Sequence, residues 1–167
     1  MNLNKKRILI ILTILVVIVI GALNIIQSQE KKELAESESV LVYLNDEEIG
    51  KLQKSEIKKE SIEFNATFKR KVGAATEKQY KGMPLHNILE LIDISPNGDY
   101  TISIVAKDNY SIDLTKDEFL KEDNVYLVYE EEAKELDKES KPYMLVIKDD
   151  EFSTRWNKQV VKIQINE

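Results

Sequence analysis

The sequence predicts an α+β domain with a mixed β-sheet, preceded by one transmembrane helix. Two observations lead to this prediction. A run of residues that is apolar except for Thr13 and Asn24 occupies positions 8–26 of the 167-residue chain. After it come about seven short segments with the composition of strands, separated by turns and by two or three short helical segments. A single exported domain on a membrane anchor therefore describes the whole chain.

The apolar run at 8–26 carries no charged side chain, and it is long enough to cross about 30 Å of hydrocarbon as a helix. Lys5, Lys6 and Arg7 directly precede it, so residues 1–7 are predicted to be a cytoplasmic tail and the rest of the chain extracytoplasmic. We favour an uncleaved anchor over a cleaved signal peptide, because such peptides have apolar runs of about 7 to 15 residues. Cleavage remains the alternative. A polar stalk at 27–39 then leads to the exported domain at 40–167.

The charge and the amino-acid composition narrow the possible partners. From residue 30 onward the chain has 21 basic and 30 acidic residues, a formal charge of −9. Such a surface repels phosphate backbones, so no nucleic-acid partner is expected. The sequence has no cysteine, which excludes disulfides, thiolate metal ligands and cysteine nucleophiles. These features fit a bacterial extracytoplasmic domain at the cell membrane.

The first half of the exported domain predicts two strands and two helices. A strand at 40–44 ends in a turn at 45–48, and a short surface helix follows at 53–59. Residues 61–72 alternate between apolar and polar, which is typical of a half-buried strand with Ile62, Phe64, Ala66 and Phe68 on its inner face. Residues 80–85 predict the tight start of a helix whose apolar stripe comprises Leu85, Ile88, Leu89 and Ile92.

The second half predicts a hairpin, a capped helix and three further strands. Strands at 100–106 and 110–114 are joined by a turn, in which Asp108 and Asn109 tolerate left-handed backbone. Thr115 and Glu118 have the spacing of a capping box that opens a helix through Leu120. The remaining predictions are strands at 125–129, 142–147 and 159–165, and a solvated loop at 130–141.

Four segments together resemble a known family. Tyr80, Gly82, Pro84 and Leu85, followed by Ile88 and Leu89, resemble the Y-x-G-x-P-L-x-x-L-L segment of the sulfite-oxidase-like molybdopterin-binding family. Ala106, Asp108 and Tyr110 are similar to its A-x-D-G-Y turn, with Asn109 where glycine is usual. The family's order continues with Pro142, Leu145 and Val146, and then with Trp156, Lys158, Val161, Ile163 and Ile165. The resemblance covers about residues 40–166 and implies the family's mixed-sheet fold.

The resemblance does not extend to the chemistry of the family. Its catalytic members hold molybdenum through one cysteine thiolate, and this chain has no cysteine. The chain also lacks the arginine-rich pocket lining that a pyranopterin phosphate would need. We therefore expect no metal and no cofactor, with molybdopterin as the alternative.

The segment around the sole tryptophan holds the first candidate binding residues. Arg155, Trp156 and Lys158 place two cations and an aromatic ring in an acidic chain, and could clamp or stack on an anionic ligand. A tryptophan beside a final strand can equally close the edge of the core. His86, the sole histidine, could act as an acid, a base or an axial ligand. Its helical phase places it beside the apolar stripe, in solvent.

Three further residues and two acidic runs are weaker candidates. Tyr80, Asp108 and Tyr110 could line a cleft, although Asp108 is also accounted for by the hairpin turn. The acidic runs at 130–132 and 149–151 lack the regular spacing of a calcium loop. We interpret those runs as solvated surface.

The expected function is a membrane-tethered, noncatalytic binding or interaction module. It would recruit a protein of a membrane complex or a small ligand, since no familiar catalytic motif occurs in the chain. The alternative is a molybdopterin-dependent oxidoreductase-like or electron-transfer component that holds a pterin or another cofactor with His86, Arg155 or Lys158. A third possibility is a purely structural subunit of a membrane complex.

Overall fold

The computed structural model describes residues 38–167 and five residues between 12 and 19, namely Leu12, Thr13, Leu15, Val16 and Val19. The chain divides into two compact units, 1–33 and 34–167. The five residues of the first unit are helical. The predicted tail at 1–7, most of the predicted membrane segment at 8–26 and most of the stalk lie outside the described residues. Within the described part of the chain, no helix has both the length and the apolar character needed to span a bilayer.

Residues 38–167 form short strands and shorter helices. The strands are β1 Val40–Leu44, β2 Glu47–Leu52, β3 Ile62–Phe68, β4 Thr76–Pro84, β5 Thr101–Ala106, β6 Ser111–Thr115, β7 Val125–Glu131, β8 Lys134–Glu135, β9 Met144–Ile147 and β10 Val160–Asn166. The α-helices are α1 Lys54–Lys59, α2 Ile88–Leu91 and α3 Lys116–Leu120. Two single turns of 3₁₀-helix occur at Leu85–Asn87 and Ser153–Arg155. The predicted α+β class is confirmed.

The strands form two five-stranded sheets. The first has the order β2-β1-β10-β5-β6, in which only the β1–β10 pairing is parallel. The second has the order β3-β4-β7-β8, with β9 also paired to β7. The larger buried cluster contains side chains from both sheets, including Ile104 and Ile163 of the first and Leu127 of the second. This shared core holds the two sheets in one domain.

Strand β7 is covered on both of its faces. Val125 and Leu127 belong to the larger core cluster, whereas Tyr126 and Val128 belong to a second one with Phe64. Because neighbouring side chains of a strand point to opposite faces, a continuous apolar run suits a strand buried on both sides. The VYLVY segment therefore specifies the central position of β7 in the second sheet.

The strand β4 was not predicted, and the helix predicted after residue 80 is shorter than expected. Residues 80–84 are the end of β4 rather than the start of a helix, and only a 3₁₀ turn and the four-residue α2 follow. The first half of β4 is polar and exposed, because only its second half reaches the core. Ile62 is also a correction, since this residue at the start of the edge strand β3 is exposed.

Gly82 is fixed by the close approach of β4 to β7. The pairing of these strands shifts register between Lys81 and Gly82. A Cβ atom at residue 82 would lie 2.6 Å from the carbonyl oxygen of Leu127 and 2.8 Å from Cα of Val128. Backbone atoms cannot move aside as a flexible side chain can, so this position requires glycine.

Candidate functional site

Trp156 closes the edge of the second core cluster. Its indole N–H donates to the carbonyl oxygen of Ile147 at 3.0 Å. Its ring makes edge contacts with Tyr80 and Phe68, both at a centroid distance of 5.7 Å. The indole N–H and the ring of Trp156 thus contact groups of the same domain. A role in closing the edge of the core accounts for its position.

Arg155 lies between two carboxylates. Its Nε donates to Oδ2 of Asp150 at 3.0 Å, and its Nη2 donates to Oε1 of Glu118 at 2.7 Å and to the second oxygen of Asp150. The hydrogen bonds that Arg155 donates, first to Asp150 and then to Glu118, raise its pKa. The arrangement ties the loop after β9 to the first turn of α3, and it neutralises the cation that an anionic ligand would need.

Glu118 serves both the cap of α3 and the pair with Arg155. Its backbone N–H donates to Oγ1 of Thr115 at 3.2 Å, and its carboxylate accepts from the Thr115 backbone N–H at 3.0 Å. Burial alone would raise the pKa of Glu118, but hydrogen bonds from Arg155 and Thr115 lower it overall. The predicted capping box is confirmed.

Asn157 is a structural residue that the sequence did not single out by itself. It is 3% exposed, and its Nδ2 donates to the carbonyl oxygens of Ile104 at 3.0 Å and Tyr110 at 3.3 Å. It therefore joins the segment before β10 to the β5–β6 hairpin. Lys158 is exposed. The pKa of Asp137 is lowered mainly by a hydrogen bond from Ser140, and the charge of Lys158 lowers it further.

The remaining sequence candidates are Tyr80, Asp108 and Tyr110. Tyr80 is buried, and its burial and the charge of Glu131 raise the pKa of its hydroxyl. Asp108 is exposed and accepts the backbone N–H of Tyr110 at 2.9 Å, which is the turn function considered for it. Tyr110 is also exposed. The structure thus pairs Tyr80 with Trp156 and Asp108 with Tyr110.

His86 lies in the 3₁₀ turn after β4 and is half-buried. Its neighbours Leu85 and Ile88 are buried, and His86 itself is half-buried rather than in solvent as the helical phase predicted, because a 3₁₀ turn replaces the start of the predicted helix. Within residues 38–167, no hydrogen bond or ion pair joins His86 to Arg155 or Lys158. The cleft predicted from these three residues is not assembled by such contacts.

The acidic runs form ion pairs and hydrogen bonds with neighbouring side chains and backbone. Glu131 pairs with Lys78 at 2.5 Å, Asp149 pairs with Lys121 at 2.6 Å, and Glu132 accepts the backbone N–H of Gln79 at 2.8 Å. Over the described residues, no three histidine or acidic side chains are grouped so as to hold a metal ion.

A groove of about 420 Å³ opens at the other end of the β5–β6 hairpin from the Asp108 turn. It is lined by Asp99, Tyr100, Thr101, Thr115, Lys116, Asp117 and Asn166. Tyr100 is 5% exposed and packs edge-on against Phe119 at a centroid distance of 6.4 Å. Sequence reasoning missed this groove because its lining comes from three separate segments, which only the pairing of β5 with β6 and β10 brings together.

Lys116 lies on the Tyr100 ring in this groove. Its Nζ is 4.9 Å from the ring centroid and donates to the carbonyl oxygen of Gly98 at 2.5 Å. Burial raises the pKa of Tyr100, so its hydroxyl is neutral at physiological pH and can both donate and accept a hydrogen bond. The groove combines the aromatic ring of Tyr100, the ammonium group of Lys116 and the exposed carboxylates of Asp99 and Asp117.

The pterin-bound molybdenum centre implied by the family resemblance does not fit the donors of this chain. Molybdenum in that family needs a thiolate, and the sequence has no cysteine. The arginine nearest the family's closing motif, Arg155, is already paired with Asp150 and Glu118. No phosphate-binding cluster of cations is therefore provided by that segment.

Comparison with known proteins supports the fold. No family model matches the chain, and no curated protein sequence matches it. Among solved structures, the chain is similar to the crystal structure of the sulfane dehydrogenase SoxCD from Paracoccus pantotrophus, with a TM-score of 0.63 and 16% sequence identity. The match covers 77% of this chain and 38% of the length of that chain. At this identity the likeness shows the fold alone, and residues 38–167 have a mixed-sheet α+β fold that resembles SoxCD.

Proposed function

We propose that the chain is a noncatalytic binding or interaction module, built on a molybdopterin-binding-type scaffold and held at the extracytoplasmic face of a membrane by residues 8–26. The resemblance to SoxCD supports the scaffold. The basic cluster before the apolar run supports the tether and its orientation. A protein of a membrane complex or a small ligand is the partner class that we favour.

The single observation that carries the noncatalytic assignment is the state of Arg155. This residue lies in the segment whose cations and tryptophan made it a candidate for binding an anionic ligand, yet its guanidinium donates hydrogen bonds to Asp150 and Glu118. Its neighbours Trp156 and Asn157 are likewise hydrogen-bonded to backbone carbonyls. The segment stabilises the domain, and no member of it supplies the thiolate that molybdenum requires.

Two matched expression strains test the noncatalytic assignment. The full-length chain is purified in a nonionic detergent from a host that makes the molybdenum cofactor, and from an isogenic host that cannot make pterins. A ligand that binds only the native state raises the unfolding temperature. We expect the same unfolding temperature for both preparations. A higher temperature in the cofactor-producing host, abolished in His86→Ala or Arg155→Ala, would favour the oxidoreductase alternative.

The tether is tested by fractionation. The full-length chain should stay in the membrane fraction after extraction with alkaline carbonate, whereas a chain that lacks residues 8–26 should not. Release of the full-length chain by carbonate would contradict the anchor.

A further inference from the structure

We propose that the groove between β5, β6 and α3 binds a lysine side chain of a partner polypeptide, with the ammonium group held by Asp99, Asp117 and the Tyr100 hydroxyl. This inference rests on the proposed binding function, because it names the site and the chemistry of the partner. The groove volume of about 420 Å³ lies within the usual range of small-ligand sites.

The first observation is a polar group without a partner. Tyr100 is 5% exposed and lines the groove, and its hydroxyl makes no hydrogen bond to any described residue. Over the described residues, no fully buried side-chain oxygen or nitrogen lacks a partner, so this hydroxyl is at least partly open to solvent. A mostly buried tyrosine usually satisfies its hydroxyl, and a ligand donor in the groove would do so here.

The second observation is the position of Lys116. An ammonium group already lies over the Tyr100 ring and donates to the Gly98 carbonyl oxygen. The aromatic face and the carbonyl oxygen therefore suit a primary ammonium ion, which attracts the negative face of a ring and has three hydrogens to donate. A lysine from a partner would compete with Lys116 for this environment.

The third observation is the charge around the groove. Asp99 and Asp117 are exposed on its rim, and within residues 38–167 neither side chain takes part in an ion pair or hydrogen bond. These two carboxylates exceed the single positive charge of Lys116. Residues 38–167 as a whole have 19 basic and 27 acidic residues, so the surrounding field also favours a cationic partner over an anionic one.

Peptide titration of the full-length chain in a nonionic detergent tests the site. The probes are a tripeptide with blocked ends and lysine at its centre, and matched peptides with norleucine or glutamate there. NMR follows the backbone amide resonances of the isotope-labelled chain. We expect saturable shifts at Tyr100, Thr101 and Asp117 with the lysine peptide only. Equal shifts with norleucine, or tighter binding of the glutamate peptide, would overturn the proposal.

Four variants assign the binding to named groups. We expect Asp99→Asn, Asp117→Asn and Tyr100→Phe each to weaken lysine-peptide binding by roughly two- to five-fold, the range of exposed ion pairs and single hydrogen bonds. Lys116→Met should strengthen it, because the competing ammonium is removed. The matched control is Glu122→Gln, which removes one exposed carboxylate outside the groove and should leave the affinity unchanged. An affinity that falls equally in the control would overturn the site.

The failure of this inference and the failure of the proposed function give different results. If the lysine peptide does not bind and the two expression strains give identical unfolding temperatures, the groove is not the site and the noncatalytic assignment stands. If a pterin stabilises the chain, the proposed function fails whatever the peptide does. If the peptide binds but Asp117→Asn and Lys116→Met leave its affinity unchanged, the groove assignment is wrong.

Discussion

Replacing Arg155 by alanine should destabilise the domain markedly, because it leaves two carboxylates without their cation. The side chain of Arg155 is 35% exposed, that of Glu118 is 32% exposed and that of Asp150 is only 12% exposed. The two-pronged contact with the more buried Asp150 is worth about 1.5–3 kcal/mol, as for hydrogen bonds to charged groups. The more exposed pair with Glu118 adds about 0.5 kcal/mol.

We therefore expect the free energy of unfolding to fall by roughly 2–3.5 kcal/mol, and the unfolding temperature to fall by about 8–14 °C for a domain of this size. Urea unfolding of the full-length chain, followed by circular dichroism, measures the first quantity. The control is Arg70→Ala, since Arg70 is exposed and its guanidinium carbon lies 5.5 Å from the centroid of the Phe68 ring. That variant should cost less than about 0.5 kcal/mol. Equal effects of the two variants would refute the structural role of Arg155.

The ion pair of Arg155 with Glu118 predicts that the stability of the domain depends on pH. The native pKa of Glu118 is lowered overall, so its contribution to stability is present above the ordinary carboxyl pKa and is lost as the pH falls through the native value. The stability difference between wild type and Arg155→Ala should be constant near neutral pH and shrink on acidification. A difference that grows at acidic pH would contradict this assignment.

Three further substitutions test the packing. Gly82→Ala should lower the free energy of unfolding by about 1–3 kcal/mol, because the added Cβ meets backbone atoms. In the control Gly50→Ala, the added Cβ meets only the movable side chain of Ile92 at 3.2 Å, so the loss in the same urea experiment should be clearly smaller. Equal losses would contradict the clash at residue 82. Asn157→Ala should cost about 1–3 kcal/mol because it removes the two hydrogen bonds of a buried side chain, and a loss no greater than that of exposed Asn65→Ala would count against it. Trp156→Phe keeps an aromatic ring but loses one hydrogen bond, so calorimetry should show a loss of about 1 kcal/mol, and an unchanged unfolding temperature would exclude that bond.

The elements that sequence reasoning predicted well are those with local causes. The helix after Thr115 begins where the capping box indicates, because Thr115 and Glu118 satisfy each other's backbone within one turn. The β5–β6 hairpin was predicted from its turn residues, and Asn109 takes the left-handed conformation with φ of 73°. In both places neighbouring residues alone determine the backbone.

The features that were missed depend on distant parts of the chain. The polar start of β4 forms a strand because it pairs with β3, which no local pattern indicates. Arg155 pairs with Glu118 across 37 residues, and Asn157 bonds to Ile104 across 53. Such partners cannot be identified from spacing. The prediction of a membrane anchor falls largely outside the described residues and stays a prediction.

The proposed function combines a molybdopterin-binding-type scaffold with the absence of its cofactor. Elemental and mass analysis of the gently purified full-length chain, produced in a host that makes the cofactor, tests it most directly. We expect no molybdenum and no pterin at a stoichiometric level. One pterin or one molybdenum atom per chain would contradict the claim and return His86, Arg155 and Lys158 to consideration as cofactor contacts.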